Sequence, residues 1–422
     1  MSESAPSRNI LIVGAGLGGL CASLALQRKG HTVTVIDSVA EFVEAGAGIR
    51  VPPNSARLLL RWGVDLNGMR KTISTGYHFV RWEDGSTIAR LPFLNNEETH
   101  GAPYYLVHRA DLHAALLKAV LDAGVTVHKN QRVVDYDFSI PAAITAEGTL
   151  WKGELLICAD GVKSISRPLL TGQPDRPRDT GDVAYRIVIR GEELLKDPEL
   201  ADLINKPVTT SWCGPDAHVV GYPIRDGELY NVVVCATSEG ETTDEVWVVE
   251  GKNEELCKRF STWHSQFYKL CQLAPSFQKW RLCDLPVLST WIHPSGQTIL
   301  LGDSAHVMLP YLAQGAAQAC EDAGTLSQVL SQYADLSEAL KQYESLRRPR
   351  ASVIQSMTRQ HQYILHIDDG DEQVQRDKIM KQDTPINPVF WGFTERRHWL
   401  FSHDAENLEI RKGGGWESPV IN

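Results

Sequence analysis

Long apolar runs and clusters of basic charge are missing from this chain of 422 residues. No apolar stretch reaches the ~18 residues of a membrane span, and the polar start MSESAPSRN does not fit a signal peptide. The 42 basic residues against 52 acidic ones give a net charge of −10, which disfavours nucleic acid and anionic membranes as partners. We therefore expect a cytoplasmic protein without a membrane span.

Paired cysteines are missing as well. The eight cysteines include no Cys-x-x-Cys motif, and several of them lie inside apolar runs. This pattern favours buried, reduced thiols over disulfides or a zinc site, so no metal is predicted.

What the chain does contain is a glycine-rich turn near its start. Ile10 to Val13 predicts a buried strand, residues 17–29 predict a helix, and Thr32 to Ile36 predicts a second, parallel strand. Gly14 permits the tight turn, Gly16 lets the backbone approach a pyrophosphate, and Gly19 allows the helix to pack closely on the strand. Asp37 ends the second strand, where a carboxylate can accept hydrogen bonds from a ribose. This pattern predicts a dinucleotide site but does not choose between NAD and FAD.

Two later stretches of the sequence bear on the choice between NAD and FAD. In GELLICADGVKSISR (153–167) a strand leads to Asp160-Gly161, followed by Ser164 and Arg167. In QTILLGDSAHVMLPYLAQGAAQACEDAGTL (297–326) a strand leads to Gly302-Asp303, and His306, Pro310 and a small-residue turn follow. A second Gly-x-Gly-x-x-Gly motif is missing, which argues against the flavin disulfide reductases.

The glycine-rich turn at Gly14 and the stretches at 153–167 and 297–326 form three motifs in this order. With them, the chain resembles the flavin-dependent aromatic hydroxylases, the class A FAD monooxygenases. It is most similar to the salicylate-hydroxylase-like fungal enzymes, over residues 8 to about 370. The resemblance implies that Asp303 binds the ribityl chain of FAD and that the helix starting at Gly315 and Ala316 points its N-terminus at the pyrimidine end of the flavin. It also implies flavin or phosphate contacts from Gly48, Arg50, Arg109 and Asp160. Asp37 and Ser304 depart from the family, which usually has Glu and Ala there.

The activity that this resemblance implies is aromatic hydroxylation. NAD(P)H would act as a transient reductant, and O2 would react through a flavin C4a-hydroperoxide with a phenolic or salicylate-like small molecule. We expect a monomer or a homodimer.

The predicted fold is α/β. We expect a discontinuous Rossmann-like FAD-binding domain (1–74, 99–180 and 281–370), a β-sheet substrate domain (75–98 and 181–280) and a C-terminal helical tail segment (371–422). Within this predicted fold, we expect a hairpin at residues 75–91 and an antiparallel meander at 181–237. Residues 253–283 are predicted to be helical. Residues 335–367 predict two helical stretches that meet near Pro349, with Arg347 to Arg350 on a solvated face, and residues 408–422 predict a loose end.

The substrate is expected against the polar face of the predicted sheet. Arg186 matches a family arginine that faces flavin and substrate, and it could hold a carboxylate or a phenolate. His218 and Tyr222 lie four residues apart on a strand and share a face, where a histidine can act as base and a tyrosine can bind the phenolate. Pro310 and Tyr311 are further candidates for substrate contact. Arg186 could instead be a surface ion-pair residue and His218 an ordinary sheet histidine, and His306 is expected to be structural.

Two alternative functions use the same motifs. One is a biosynthetic tailoring enzyme of the same fold that dearomatises or epoxidises a larger natural product. The other is a non-catalytic carrier on this fold, which would not need Gly302-Asp303.

Overall fold

A computed structural model describes residues 6–42, 46–174, 177–240 and 248–407. Nineteen strands lie within these residues: Asn9–Val13 (β1), Thr32–Ile36 (β2), Gly48–Val51 (β3), Thr72–Ile73 (β4), Gly76–Arg81 (β5), Thr87–Pro92 (β6), Tyr105–His108 (β7), Thr126–His128 (β8), Val133–Asp137 (β9), Ala142–Thr145 (β10), Leu150–Lys152 (β11), Leu155–Cys158 (β12), Arg178–Arg190 (β13), Val208–Gly214 (β14), Ala217–Ile224 (β15), Leu229–Thr237 (β16), Val248–Gly251 (β17), Phe277–Asp284 (β18) and Thr298–Leu300 (β19). Thirteen α-helices accompany them: Leu17–Arg28 (α1), Pro53–Arg61 (α2), Asn96–His100 (α3), Arg109–Asp122 (α4), Ser166–Thr171 (α5), Gly191–Leu195 (α6), Pro198–Asn205 (α7), Asn253–Arg259 (α8), Ser265–Leu273 (α9), Gly315–Gln332 (α10), Leu336–Leu365 (α11), Asp371–Met380 (α12) and Thr394–Phe401 (α13).

The glycine-rich turn belongs to a five-stranded parallel sheet in the order β19-β12-β1-β2-β8. The predicted β1-α1-β2 unit is confirmed, and the apolar residues of β1, β12 and β19 are buried on both faces, as is typical of parallel sheets. The fold is therefore α/β, with a Rossmann-like arrangement around β1.

A second sheet has eight strands in the order β17-β18-β13-β16-β15-β14-β5-β6. It contains the predicted hairpin (β5 and β6) and the predicted antiparallel strands between residues 181 and 237, and β14 joins β5 in parallel. The helical prediction for 253–283 is wrong at its end, because residues 277–284 form β18. There Phe277, Lys279 and Arg281 alternate with residues of the other face, which is a strand period.

The C-terminal part differs from the sequence prediction in two ways. Residues 336–365 form one helix that continues through Pro349, because the arginines on either side of the proline are held by buried ion pairs with α10. Residues 371–407 are folded, with buried Met380, Phe390, Trp391 and Phe401. The predicted loose end at 408–422 lies outside the described residues.

No disulfide joins any cysteines within the described residues, and six of the eight cysteines are buried. Of the described helices, none combines the length and the hydropathy needed to cross a membrane.

Candidate active site

The predicted cofactor residues meet at one edge of the parallel sheet. Gly14 follows β1, Asp37 follows β2, Asp160 lies beyond β12 and Asp303 beyond β19. These four strands are neighbours, so their carboxyl ends deliver the four residues to one crevice. That crevice is where open α/β sheets bind their ligands.

The three glycines of the turn are required for different reasons. Gly14 has φ +107, and a Cβ there would lie 2.2 Å from the carbonyl oxygen of Ala159. A Cβ on Gly19 would lie 1.9 Å from the carbonyl oxygen of Gly14, because α1 packs directly on the turn. A Cβ on Gly16 would have no neighbour within 4 Å. The space beside Gly16 is therefore open, as a pyrophosphate requires.

These differences predict opposite outcomes for two similar variants. Gly19→Ala should lower the free energy of unfolding of the apoprotein by about 1–3 kcal/mol, because the backbone must move to admit the methyl group. Gly16→Ala should leave that free energy unchanged but weaken FAD binding, since the methyl group occupies the phosphate's space. Urea unfolding of the apoproteins and FAD titration separate the two effects. Equal FAD affinity for Gly16→Ala and wild type would contradict a phosphate position there.

Asp37 is held beside the turn. Its carboxylate accepts hydrogen bonds from the Ala15 N–H at 2.6 Å and from the Val39 N–H at 2.9 Å. The side chain is half-buried and follows the last residue of β2, so its position fits the expected ribose contact.

The Asp160 carboxylate accepts several hydrogen bonds from the protein itself. Its carboxylate accepts from the backbone N–H groups of Ile165 and Ser166 and from the hydroxyl groups of Tyr136, Ser166 and Ser304. Ser304, where the family usually has Ala, also accepts a hydrogen bond from the Gly161 N–H at 2.8 Å. Asp160 and Ser304 thus connect the Asp160-Gly161 motif to the Gly302-Asp303 motif. The hydrogen bonds of Asp160 also hold residues 160–166 in place at the edge of the crevice.

In contrast to Asp37 and Asp160, the Asp303 carboxylate is available to bind a ligand. It is solvent-exposed, and no described residue donates a hydrogen bond to its side chain. Its Oδ1 atom lies 3.9 Å from the position a Cβ on Gly315 would take. Gly315 and Ala316 begin the 18-residue helix α10, whose first N–H groups have no partner within the helix. A carboxylate beside a helix N-terminus fits the ribityl chain and the pyrimidine end of a flavin.

A loop from the parallel-sheet side reaches the second sheet at Gly48. The Gly48 N–H donates to the Asn231 side chain at 2.7 Å, and a Cβ on Gly48 would lie 2.8 Å from the Tyr222 ring. Nearby, the Arg109 N–H donates to the Ala47 carbonyl oxygen at 2.9 Å. Glycine is therefore needed where the cofactor loop touches the face of the second sheet.

The three predicted catalytic residues lie on two strands of that sheet, β13 and β15, which are separated by β16. Arg186 on β13 is exposed and stacks over the Trp280 ring at 4.8 Å. Partial loss of hydration around the guanidinium and the nearby charge of Arg109 lower the pKa of Arg186. Tyr222 and His218 on β15 are buried, and both feel the charge of Arg50.

His218 belongs to a buried polar chain that the sequence did not reveal. Its Nδ1 atom lies 2.7 Å from Nε2 of His366, whose Nδ1 atom lies 3.6 Å from the Asp182 carboxylate. Tyr311 donates its hydroxyl group to the same carboxylate at 2.6 Å. Burial lowers the pKa of His218 well below 6.5 and that of His366 to about 4, while it raises the pKa of Asp182.

This polar chain also locates the two predicted substrate contacts. Tyr311 is buried with its ring 5.2 Å from that of His218, so its hydroxyl group serves Asp182. Pro310 is exposed at the start of the same turn. No motif marks His366 or Asp182, because they come from the end of α11 and from β13.

A second buried cluster lies behind the N-terminus of α10. Arg347 pairs with Glu321 at 2.6 Å and with Asp322 at 2.8 Å, and Arg350 pairs with Glu321 at 2.7 Å. Arg350 also donates to the Trp399 and Leu400 carbonyl oxygens in α13. The prediction of a solvated face at 347–350 is therefore wrong, because both arginines are fully buried.

The motif histidine His306 is structural, as expected. It is buried, and its Nε2 atom lies 2.6 Å from the Asp322 carboxylate. The His306–Asp322 pair connects the motif that begins at Gly302-Asp303 to the ion cluster around Arg347.

Comparison with known proteins agrees with this geometry. A family model described as an FAD binding domain matches residues 7–358. The FAD-dependent monooxygenase OpS4 of Beauveria bassiana (strain ARSEF 2860) is 35% identical over 412 residues, covering 94% of this chain and 95% of the relative. The 3-hydroxybenzoate 6-hydroxylase 1 of Aquipseudomonas alcaligenes is 34% identical over 407 residues, covering 94% and 98%. A solved salicylate hydroxylase substrate complex superposes with a TM-score of 0.76 at 23% identity, covering 94% of this chain and 96% of that one.

Proposed function

Because the chain belongs to the FAD-binding-domain family and is an FAD-dependent monooxygenase, we propose that it hydroxylates a phenolic aromatic compound with NAD(P)H as reductant. The observation that carries the phenolic substrate is the contact of Gly48 with Tyr222. It supports a flavin position beneath the face of β15 that presents His218 and Tyr222. The relatives named for hydroxybenzoate and aminohydroxybenzoate substrates lend further support.

The available residues fit FAD. Gly16 offers open space for the pyrophosphate, Asp37 a carboxylate for the ribose, and Asp303 one for the ribityl chain. The N-terminus of α10 stabilises negative charge at the pyrimidine end. When bound and reduced, FAD supplies the activation of O2 and the transfer of one oxygen atom to the ring.

The protein's own part is to orient the phenol, take up its proton and keep water away. Tyr222 donates a hydrogen bond to the phenolic oxygen, and neutral His218 accepts the phenolic proton at Nε2. His218 can pass a proton from Nδ1 to Nε2 of His366, which in turn faces Asp182. Burial raises the pKa of Asp182, so this carboxylate is suited to hold the proton at the end of the chain.

Turnover of the purified holoenzyme tests the proposal. NADH or NADPH oxidation is followed with a panel of phenols and hydroxybenzoates, with H2O2 assayed alongside and products identified by a gain of one oxygen atom. Stimulated oxidation with an oxygenated product is expected. A bulky phenol in the panel distinguishes a tailoring enzyme from a salicylate-type hydroxylase. No oxygenated product from any phenol would contradict the proposal.

The ribityl contact has its own prediction. Asp303→Ala should weaken FAD binding about 10- to 100-fold with little loss of fold stability, because its carboxylate has no partner among the described residues. Asp160→Ala is the matched control and should mainly destabilise the fold, since its carboxylate holds its own loop. FAD titration and thermal unfolding of the apoproteins measure both. Wild-type FAD affinity in Asp303→Ala would exclude the ribityl role.

A further inference from the structure

Arg50 is a buried charge without an anionic partner. Its side chain is 9% exposed, and its guanidinium carbon lies 5.7 Å from the centres of both the Tyr77 and the Trp391 ring. The Nη1 atom has no hydrogen-bond partner. Among the described residues no carboxylate lies within ion-pair distance, and the nearest polar groups are the phenols of Tyr77 and Tyr104. The charge is therefore removed from water and is surrounded by neutral phenols and ring faces, with no described carboxylate to balance it.

This situation distinguishes Arg50 from the other buried arginines of the described chain. Each of them donates to a carboxylate or to a backbone carbonyl group; they are Arg167, Arg347, Arg350, Arg376 and Arg396. A buried ion without a counter-ion is strongly unfavourable, and a ligand that supplies the missing charge would relieve the cost.

The surroundings of Arg50 belong to the substrate side. Tyr77 comes from β5, Tyr222 from β15, and Trp391 from the C-terminal segment. None of these neighbours comes from the three flavin motifs. The Arg50 guanidinium is thus near Tyr222, which is proposed to bind the phenolic hydroxyl group.

We propose that Arg50 binds the carboxylate of the substrate, so that the substrate is an aromatic acid whose ring hydroxyl group faces His218 and Tyr222. This inference rests on the proposed function and deepens it. The planar guanidinium offers two parallel N–H donors to a carboxylate, and the neighbouring rings of Tyr77 and Trp391 give its surroundings an aromatic character. Arg50 then fixes the ring position at which oxygen is inserted, because it anchors the ring at a second point.

Arg186 is the competing candidate for the carboxylate. It is more exposed than Arg50 and stacks over the Trp280 ring. An exposed arginine gains less from a ligand anion than a buried one, because water screens the interaction. The geometry therefore assigns the substrate anion to Arg50.

Binding to the oxidised holoenzyme tests this assignment without turnover. Changes in flavin absorbance are titrated at pH 7 with two matched pairs, salicylate with salicylamide and 3-hydroxybenzoate with 3-hydroxybenzamide. In each pair a neutral amide of similar size replaces the charged carboxylate. The measured quantity is the ratio of the amide Kd to the acid Kd within one variant, which cancels any general disturbance of the pocket. FAD content is recorded for every variant.

The wild type is expected to prefer the acid of at least one pair by about 10- to 100-fold. Arg50→Gln should bring the ratio close to one without changing the amide Kd, and Arg50→Lys should restore part of it. Arg186→Gln and the exposed Arg90→Gln should keep the wild-type ratio. No acid preference in the wild type, retention of the preference in Arg50→Gln, or its loss in Arg186→Gln would each overturn the assignment.

The two proposals fail in different ways. If the wild type oxygenates neutral phenols and shows no preference for acids, the proposed function stands and Arg50 is not an anion receptor. If the acid preference depends on Arg50 but no phenol is oxygenated, the receptor stands and the proposed function is wrong.

Discussion

A His218→Ala variant is expected to keep its FAD and oxidise NAD(P)H while hydroxylating its substrate about 10²-fold more slowly. The lost group is the proposed base for the phenol, and no phosphate or ribityl contact depends on it. Electrons from NAD(P)H should then appear as H2O2. The ratio of oxygenated product to NAD(P)H consumed, with H2O2 measured in parallel, reports the defect.

The pH dependence of that defect identifies the role of the histidine. Burial holds the pKa of His218 well below 6.5, so the wild type has a neutral imidazole at pH 7 and above. A phenol ionises without help as the pH approaches its pKa of about 10. The defect of His218→Ala should therefore shrink between pH 7 and 9.5. A defect of constant size would mean that His218 positions the substrate without accepting its proton.

His78→Ala is the matched control. His78 lies on β5 next to Tyr77 in sequence, so its side chain is on the opposite face, where it contacts Thr87 and Arg90. Its coupling ratio should equal that of the wild type at every pH. If His78→Ala were equally uncoupled, the effect of His218→Ala would report a general disturbance of the sheet.

Arg347→Met is expected to lower the free energy of unfolding by about 3–5 kcal/mol, because it removes the cation that pairs with both buried Glu321 and buried Asp322. Although burial alone would raise the pKa of Glu321, the charges of Arg350, His403 and Arg347 hold it well below its usual range. Removing one arginine takes away part of this compensation. Urea unfolding at a fixed, saturating FAD concentration measures the change.

The neighbouring arginine provides the control for this effect. Arg348 is half-buried on the same turn of α11 and makes no ion pair with a described residue. Arg348→Met should change the free energy of unfolding by less than about 1 kcal/mol, as expected of substitutions outside ion-pair networks. Similar losses in the two variants would show that the ion pairs of Arg347 do not stabilise the fold.

The sequence predicted the cofactor half of the molecule well for a physical reason. Glycines with forced backbone geometry, strand-to-helix turns and carboxylates after strands are local features. The turn at Gly14, Gly16 and Gly19 and the free carboxylate of Asp303 follow from short stretches of chain. The strand at 277–284 could have been predicted from its alternation, but two preceding helices concealed the change of period.

The substrate half depended on contacts between distant residues. The neighbours of Arg50 come from positions 77, 104, 222 and 391, and no local pattern predicts their meeting. The contacts of His218 with His366, and of His366 with Asp182, also join residues that are far apart in the sequence. The run at 347–350 was predicted to be solvated because runs of charged residues usually are. Its first and last arginines are buried because Glu321 and Asp322, on the preceding helix α10, balance their charge.

The bonds from Arg350 to the Trp399 and Leu400 carbonyl oxygens have a consequence for protein synthesis. A nascent chain has no acceptor for these donors until residues 399 and 400 have left the ribosome. At about 5–20 residues per second, the β1-α1-β2 unit waits on the order of 20–80 s for that moment. During this interval the α10–α11 pair lacks the contacts that α13 supplies. The support behind the N-terminus of α10 is therefore complete only after α13 has been synthesised.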